Sequence, residues 1–156
     1  MKWYNLVGFT VVVMLSTYLI RIPLPGGGYF NFGDVAVIFA ALYSGPKAGM
    51  IAGGVGSALA DLIGFPIFAP ITLVAKGLEG LIAGLGKGQR AFLNYLFPIL
   101  GSLMMVIVYF FGTWLLPAFG IGAAVAEFPA NLVQALLANI GARLLFIATR
   151  RFGITG

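Results

Sequence analysis

Apolar runs follow one another from residue 3 to residue 149 of this chain, parted only by short breaks of glycine, proline and a few charges. No other feature constrains the fold as strongly. A soluble domain carries about 25% charged residues. Here nine basic and four acidic side chains serve 156 residues, and 61% of the chain is hydrophobic. So few charges cannot clothe a water-facing surface, so lipid is the main solvent. A membrane-spanning helix takes roughly 20 apolar residues. Six such helices with short loops use nearly the whole length. The expected fold is all-α: one integral membrane domain over residues 1–156 with six transmembrane helices, leaving no room for a soluble catalytic or ATP-binding domain.

The breaks set the expected helix limits. Helix 1 covers Trp3 to Ile20; Lys2 before it could open a signal peptide, but the apolar run is long and no small-residue cleavage site follows. The segment Arg21 to Gly28 holds two prolines and three glycines and is expected as a loop. Helix 2 runs from Phe32 to Ser44, short for a span and therefore tilted or extended by the segment before it. Gly45-Pro46 turns the chain into helix 3, Lys47 to Ile63. A loop from Gly64 to Pro70 precedes helix 4, Ile71 to Leu85. Helix 5 runs from Ala91 to Leu115 with a kink at Pro98, and helix 6 from Ala123 to Thr149. Lys2, Lys47, Lys87, Arg90, Arg150 and Arg151 fall on one set of ends and loops, and only Arg21 on the other. That bias predicts an N-in, C-in topology.

The chain has neither cysteine nor histidine, which removes thiol chemistry, disulfides and histidine metal sites. No metal or cofactor is expected. The net charge of +5 is scattered over helix ends with no basic cluster, so nucleic acid is not an expected partner.

The four acids are Asp34, Asp61, Glu79 and Glu127. The topology puts three of them near the outer ends of helices 2, 3 and 6, and Glu79 near the middle of helix 4, one turn after Lys76. A charge in the bilayer costs about 2.5–3.5 kcal/mol on insertion scales, so it faces a cavity or a partner. Glu127, Asn131 and Gln134 stand at i, i+4 and i+7 on one face of helix 6. These residues, with Lys76 and Glu79, are expected to line a polar pocket that opens outward between helices 4 and 6. For the stripe on helix 6 the competing reading is interhelical hydrogen bonding, and for Lys76 and Glu79 it is a plain i,i+3 pair. Asp34 and Asp61 have two equal readings, pocket wall or helix cap. Gly49, Gly53 and Ser57, and Gly80 and Gly84, recur every four residues and are expected to let helices pack closely. Arg143 is expected to snorkel to the cytoplasmic surface.

The stretch Gly28-Tyr29-Phe30-Asn31-Phe32-Gly33-Asp34, the Gly45-Pro46 turn, Gly56-Ser57-Ala58-Leu59-Ala60-Asp61, Phe68-Ala69-Pro70 leading to Lys76-Gly77-Leu78-Glu79-Gly80, and Glu127-Phe128-Pro129-Ala130-Asn131 resemble the S components of energy-coupling factor (ECF) importers. The resemblance implies a six-helix subunit of the prokaryotic plasma membrane. Such a subunit captures a vitamin or precursor from outside, beneath outer loops, and joins a membrane-embedded coupling subunit carrying two ATPases. It implies substrate-side roles for Tyr29, Asn31, Asp34 and Asp61 beside the pocket residues above. Helix 1 of the family docks on the coupling subunit through small residues spaced by four; here Gly8 and Ser16 are small, but Val12 stands between them. The group most similar takes hydroxymethylpyrimidine or pyridoxine, small heteroaromatics whose ring nitrogens and hydroxyl or amino groups suit carboxylates and amides. Riboflavin, pantothenate and queuosine-precursor transport remain open alternatives. So do a stand-alone ion-coupled transporter, a membrane enzyme and a purely structural membrane subunit.

Overall fold

The computed structural model describes residues 2–24 and 26–152, which form six α-helices and one small hairpin. They are α1 (Trp3–Leu19), the strands β1 (Arg21–Pro23) and β2 (Tyr29–Asn31), α2 (Gly33–Ser44), α3 (Pro46–Gly64), α4 (Ala69–Gly84), α5 (Ala91–Leu115) and α6 (Gly120–Arg151). A single 3-10 turn, Pro66–Phe68, leads into α4. Three segments are long and apolar enough to cross a membrane: 66–84, 91–115 and 120–151.

The helix limits follow the chemistry of the breaks. Pro46 occupies the first turn of α3 and Pro70 that of α4, where a missing N–H costs nothing. The segment expected as a loop after α1 is instead an antiparallel hairpin, paired Arg21 to Asn31, Ile22 to Phe30 and Pro23 to Tyr29. Two strands alone are marginal in water, so this pair must owe its order to what it rests on. Gly27 makes the turn possible with a φ of 95°, a conformation closed to most side chains.

α2 is the axis of the bundle. One of its faces, Ile38, Ala41 and Leu42, packs on Ala83, Ala138 and Phe146 of α4 and α6. The opposite face, Val37 and Ala40, meets Val13 of α1 and Ala52 of α3. At 12 residues α2 is about 18 Å long, shorter than the roughly 30 Å hydrocarbon layer, and almost wholly buried. α3 and α4 approach through glycine: a Cβ on either Gly49 or Gly80 would overlap the other's carbonyl, and one on Gly53 would lie 2.6 Å from the Lys76 carbonyl. Close packing within the chain is thus the use of that glycine spacing. Large apolar side chains such as Val7, Val11, Leu136 and Leu144 point outward, as lipid-facing helices require.

Candidate functional site

Asp61 and Glu127 lie directly under the hairpin, with Arg21 beside Asp61, and Asp34 and Glu79 lie deeper, on either side of Lys76. The start of α2, the end of α3, the start of α4, the end of α5 and the start of α6 all converge there. Each of the acidic side chains is buried.

A small cavity of about 20 Å³ lies at the centre. The hairpin closes it with Leu24, Gly28, Tyr29 and Asn31; α6 contributes Glu127, Asn131 and Gln134, and the other helices Asp61, Phe68, Thr72 and Tyr109. A cavity holds one water when it offers about 10–15 Å³, whereas ligand pockets run to roughly 300–1,000 Å³. A vitamin-sized molecule therefore enters only if the hairpin shifts.

Two side chains of α6 fasten the hairpin by its main chain. Gly28 N–H donates to Glu127 Oε1 at 2.6 Å and Asn31 N–H to Gln134 Oε1 at 2.9 Å. Gly26 and Gly28 let the carboxylate come so near; a Cβ on Gly28 would sit 2.7 Å from Glu127 Oε1. Thr113 Oγ1 lies 3.2 Å from the other Glu127 oxygen and donates to it. The Tyr29 hydroxyl donates to Asp61 Oδ1, and Thr72 Oγ1 donates to Asp61 Oδ2 at 2.5 Å. Burial, then Tyr109 and Asp61, hold the Tyr29 phenol well above its ordinary range, so it remains a donor at physiological pH. Arg21 pins the hairpin from its other side. Its guanidinium stacks 4.8 Å from the Tyr29 ring centre and 5.5 Å from that of Phe65, donates to the Ala60 carbonyl at 2.7 Å, and lies 3.9 Å from Asp61.

Lys76 and Glu79, expected at the pocket wall, lie instead in a fully buried charge cluster one to two turns further along α4. Lys76 Nζ donates to Asp34 Oδ1 across 42 residues of sequence, while Glu79 Oε2 is 3.7 Å from it. Both Glu79 oxygens lack a hydrogen bond among the described residues. Gln134 ties this cluster to the hairpin, since its Nε2 donates to Asp34 Oδ2 at 2.7 Å. Asp34 and Asp61 cap no helix; each is satisfied by side chains from other elements. Asn131 is different again. It faces the cavity, and its side chain makes no hydrogen bond among the described residues.

Thr72, Tyr109 and Thr113 were not expected here. Ser102, Tyr109 and Thr113 stand at i, i+7 and i+11 on α5, and Thr72, Lys76 and Glu79 at i, i+4 and i+7 on α4, the same one-face spacing that marks α6, and that signal could have found them. The proposed docking positions sit apart from the cavity: Gly8 and Val12 are exposed on α1 and Ser16 is half-buried.

A larger groove of about 520 Å³ runs between α5 and α6. Its walls, among them Ile38, Leu103, Leu132 and Ile140, are mostly apolar and open to the side of the bundle. Its polar liners Ser102, Asn139 and Arg143 are bonded to one another, to Asn94 or to the main chain, whereas a site for a small polar ligand offers polar groups aimed at the ligand.

A family model described as "ECF-type riboflavin transporter, S component" matches residues 6–151. A Pyrococcus woesei protein described as "Uncharacterized protein in gap 3'region" is 45% identical over 145 residues, 90% of this chain and 97% of that one. The thiamine precursor transporter HmpT of Lactococcus lactis subsp. cremoris (strain MG1363) is 31% identical over 149 residues, 94% of this chain and 86% of its own. Among solved structures, the S component of a bacterial ECF transporter has the same fold, with a TM-score of 0.78 at 20% identity, covering 96% of this chain and 95% of that one.

Proposed function

The chain belongs to the ECF-type S-component family, whose model is that of the riboflavin transporter S component, and from this premise we propose that it captures a thiamin precursor of the hydroxymethylpyrimidine kind, or a pyridoxine-like heteroaromatic, from outside the cell. Membership makes it the substrate-binding subunit of an ECF transporter and not an enzyme. The observation that carries the ligand reading is the closed polar cavity, in which the Asn131 amide, unbonded among the described residues, and carboxyl groups from α3 and α6 face Tyr29 and Tyr109. The name of HmpT, a thiamine precursor transporter, supports the same ligand class.

The hairpin acts as the lid. Substrate replaces lid contacts at Glu127 and Asp61 and bonds to Asn131. Six helices cross the prokaryotic plasma membrane with both termini inside, a reading supported by the basic residues Lys47, Lys87, Arg90, Arg150 and Arg151 on one set of ends and loops. The open face of α1 at Gly8, Val12 and Ser16 docks on a membrane-embedded coupling subunit that carries two ATPases. A Cβ on Gly8 would meet nothing within 4 Å, which leaves that face free for a partner helix.

Riboflavin is the second reading, favoured by the description of the family model. Mass spectrometry of small molecules copurified in mild detergent, followed by isothermal titration of both candidates, decides between them. Vesicles holding this chain with the coupling and ATPase subunits should accumulate the ligand on ATP addition. Accumulation by the purified chain alone would refute the subunit reading.

A further inference from the structure

The charge census of the site carries a statement about its ligand that goes beyond the proposed function and rests on it. Among the described residues, the bases near Asp34, Asp61, Glu79 and Glu127 are Arg21 and Lys76. Neither base lines the cavity. Lys76 is committed to Asp34, and Arg21 to the Ala60 and Thr17 carbonyls on the far side of the Tyr29 ring. Among the described residues the walls themselves bear Asp61 and Glu127 and no base. Both carboxyl groups are arranged as acceptors. Glu127 takes a main-chain N–H from Gly28, which can only donate, and Asp61 takes the hydroxyls of Tyr29 and Thr72 with a guanidinium 3.9 Å away.

We propose that this site selects its ligand by charge: it takes a neutral or cationic vitamin rich in hydrogen-bond donors and rejects anionic forms, phosphate monoesters above all. Two of the donors now serving the wall, Gly28 N–H and the Tyr29 hydroxyl, belong to the lid. A ligand that enters as the lid moves must supply donors in their place, because a buried acceptor left without one costs the whole desolvation of the group. An amino or protonated ring nitrogen does this. A phosphate does the reverse: it brings charge of the same sign beside two carboxylates, and no base lines the cavity among the described residues to neutralise it. The same reasoning sets the site against carboxylate-bearing vitamins such as pantothenate.

The test titrates the purified full chain in detergent with three pairs, each an alcohol and its phosphate monoester: the hydroxymethyl aminopyrimidine, pyridoxine and riboflavin. In whichever pair binds, the ester should bind at least about a hundredfold more weakly, a like-charge penalty of about 2.8 kcal/mol. An ester within about threefold of its alcohol overturns the charge filter and leaves the importer reading intact. Binding by none of the six overturns the vitamin reading and the filter with it. Glu127→Gln and Asp61→Asn supply a second readout: each should narrow the ratio of the two affinities by raising that of the ester. An unchanged ratio in both folded variants overturns the assignment to these carboxyl groups. The wild-type ratio decides by itself if neither variant folds.

Discussion

The guanidinium of Arg143 on α6 donates to the main-chain carbonyl of Asn94 on α5 at 2.7 Å, and this is the carbonyl that Pro98 leaves without its helical donor. The same guanidinium donates to Asn94 Oδ1 at 2.6 Å and stacks 3.8 Å from the Tyr95 ring centre. Arg143 therefore closes a gap in α5 rather than simply reaching for the membrane surface. It ties the halves of α5 and α6 that lie away from the cavity.

Arg143→Ala should lower stability by about 1–3 kcal/mol, the cost of unsatisfied polar groups, and leave ligand affinity unchanged. Pro98→Ala restores a helical donor to Asn94. In that background the loss on Arg143→Ala should shrink. Thermal unfolding of the four proteins in one detergent measures the coupling; additive losses would show that the orphaned carbonyl is not what Arg143 serves.

The buried cluster of Asp34, Lys76 and Glu79 sets one cation between two carboxyl groups, with Asp34 the bonded partner. Lys76→Met strands Asp34 and should cost about 3–5 kcal/mol, as breaking a buried pair does. Glu79→Gln removes no hydrogen bond from the described residues, so its cost should be under about 1 kcal/mol. Equal losses from the two changes, read as unfolding temperature, would argue against Asp34 as the lysine's principal partner.

Alanine substitutions at glycine separate the packed helices from the free one. Alanine gains up to about 1 kcal/mol over glycine in a helix, and at Gly8, where a Cβ meets open space, that gain should appear as a small stabilisation. At Gly80 the new Cβ meets the Gly49 main chain, which cannot swing aside. Overpacking of about 1–3 kcal/mol should outweigh the propensity gain there. A large residue at Gly8, such as Gly8→Trp, should spare ligand binding by the isolated chain and abolish ATP-driven uptake in the assembled vesicles. Normal uptake would move the docking surface off α1.

How far the sequence could be read depended on whether a signal was local. The limits of α5 were legible because Arg90 and Leu116-Pro117 bound a run that is apolar apart from a few scattered residues. The polar face of α6 was legible because its three members sit within eight residues on one helix. The bond from Lys76 to Asp34 was not, since it joins residues 42 apart and only the bundle brings them together. Nor was the hairpin. Six residues of strand with proline and glycine between them carry no periodic pattern, and the order comes from Arg21, Glu127 and Gln134 clasping it from outside.

Asn131 and Gln134 stand three residues apart on α6 and should fail in different ways when shortened. The Asn131 side chain faces the cavity with no bond among the described residues, so Asn131→Ala removes only what the ligand uses. Hydrogen bonds of about 1–2 kcal/mol lost at that amide correspond to roughly five- to thirtyfold weaker binding, with the unfolding temperature unchanged. Gln134 holds the lid at Asn31 and the charge cluster at Asp34. Gln134→Ala should therefore lower the unfolding temperature and speed ligand release as well as weaken binding. Stopped-flow dissociation set beside thermal unfolding distinguishes the two. If Asn131→Ala binds like the wild type, the amide belongs to helix packing and the ligand bonds elsewhere in the cavity; if Gln134→Ala leaves both release rate and stability alone, the lid is not latched through α6.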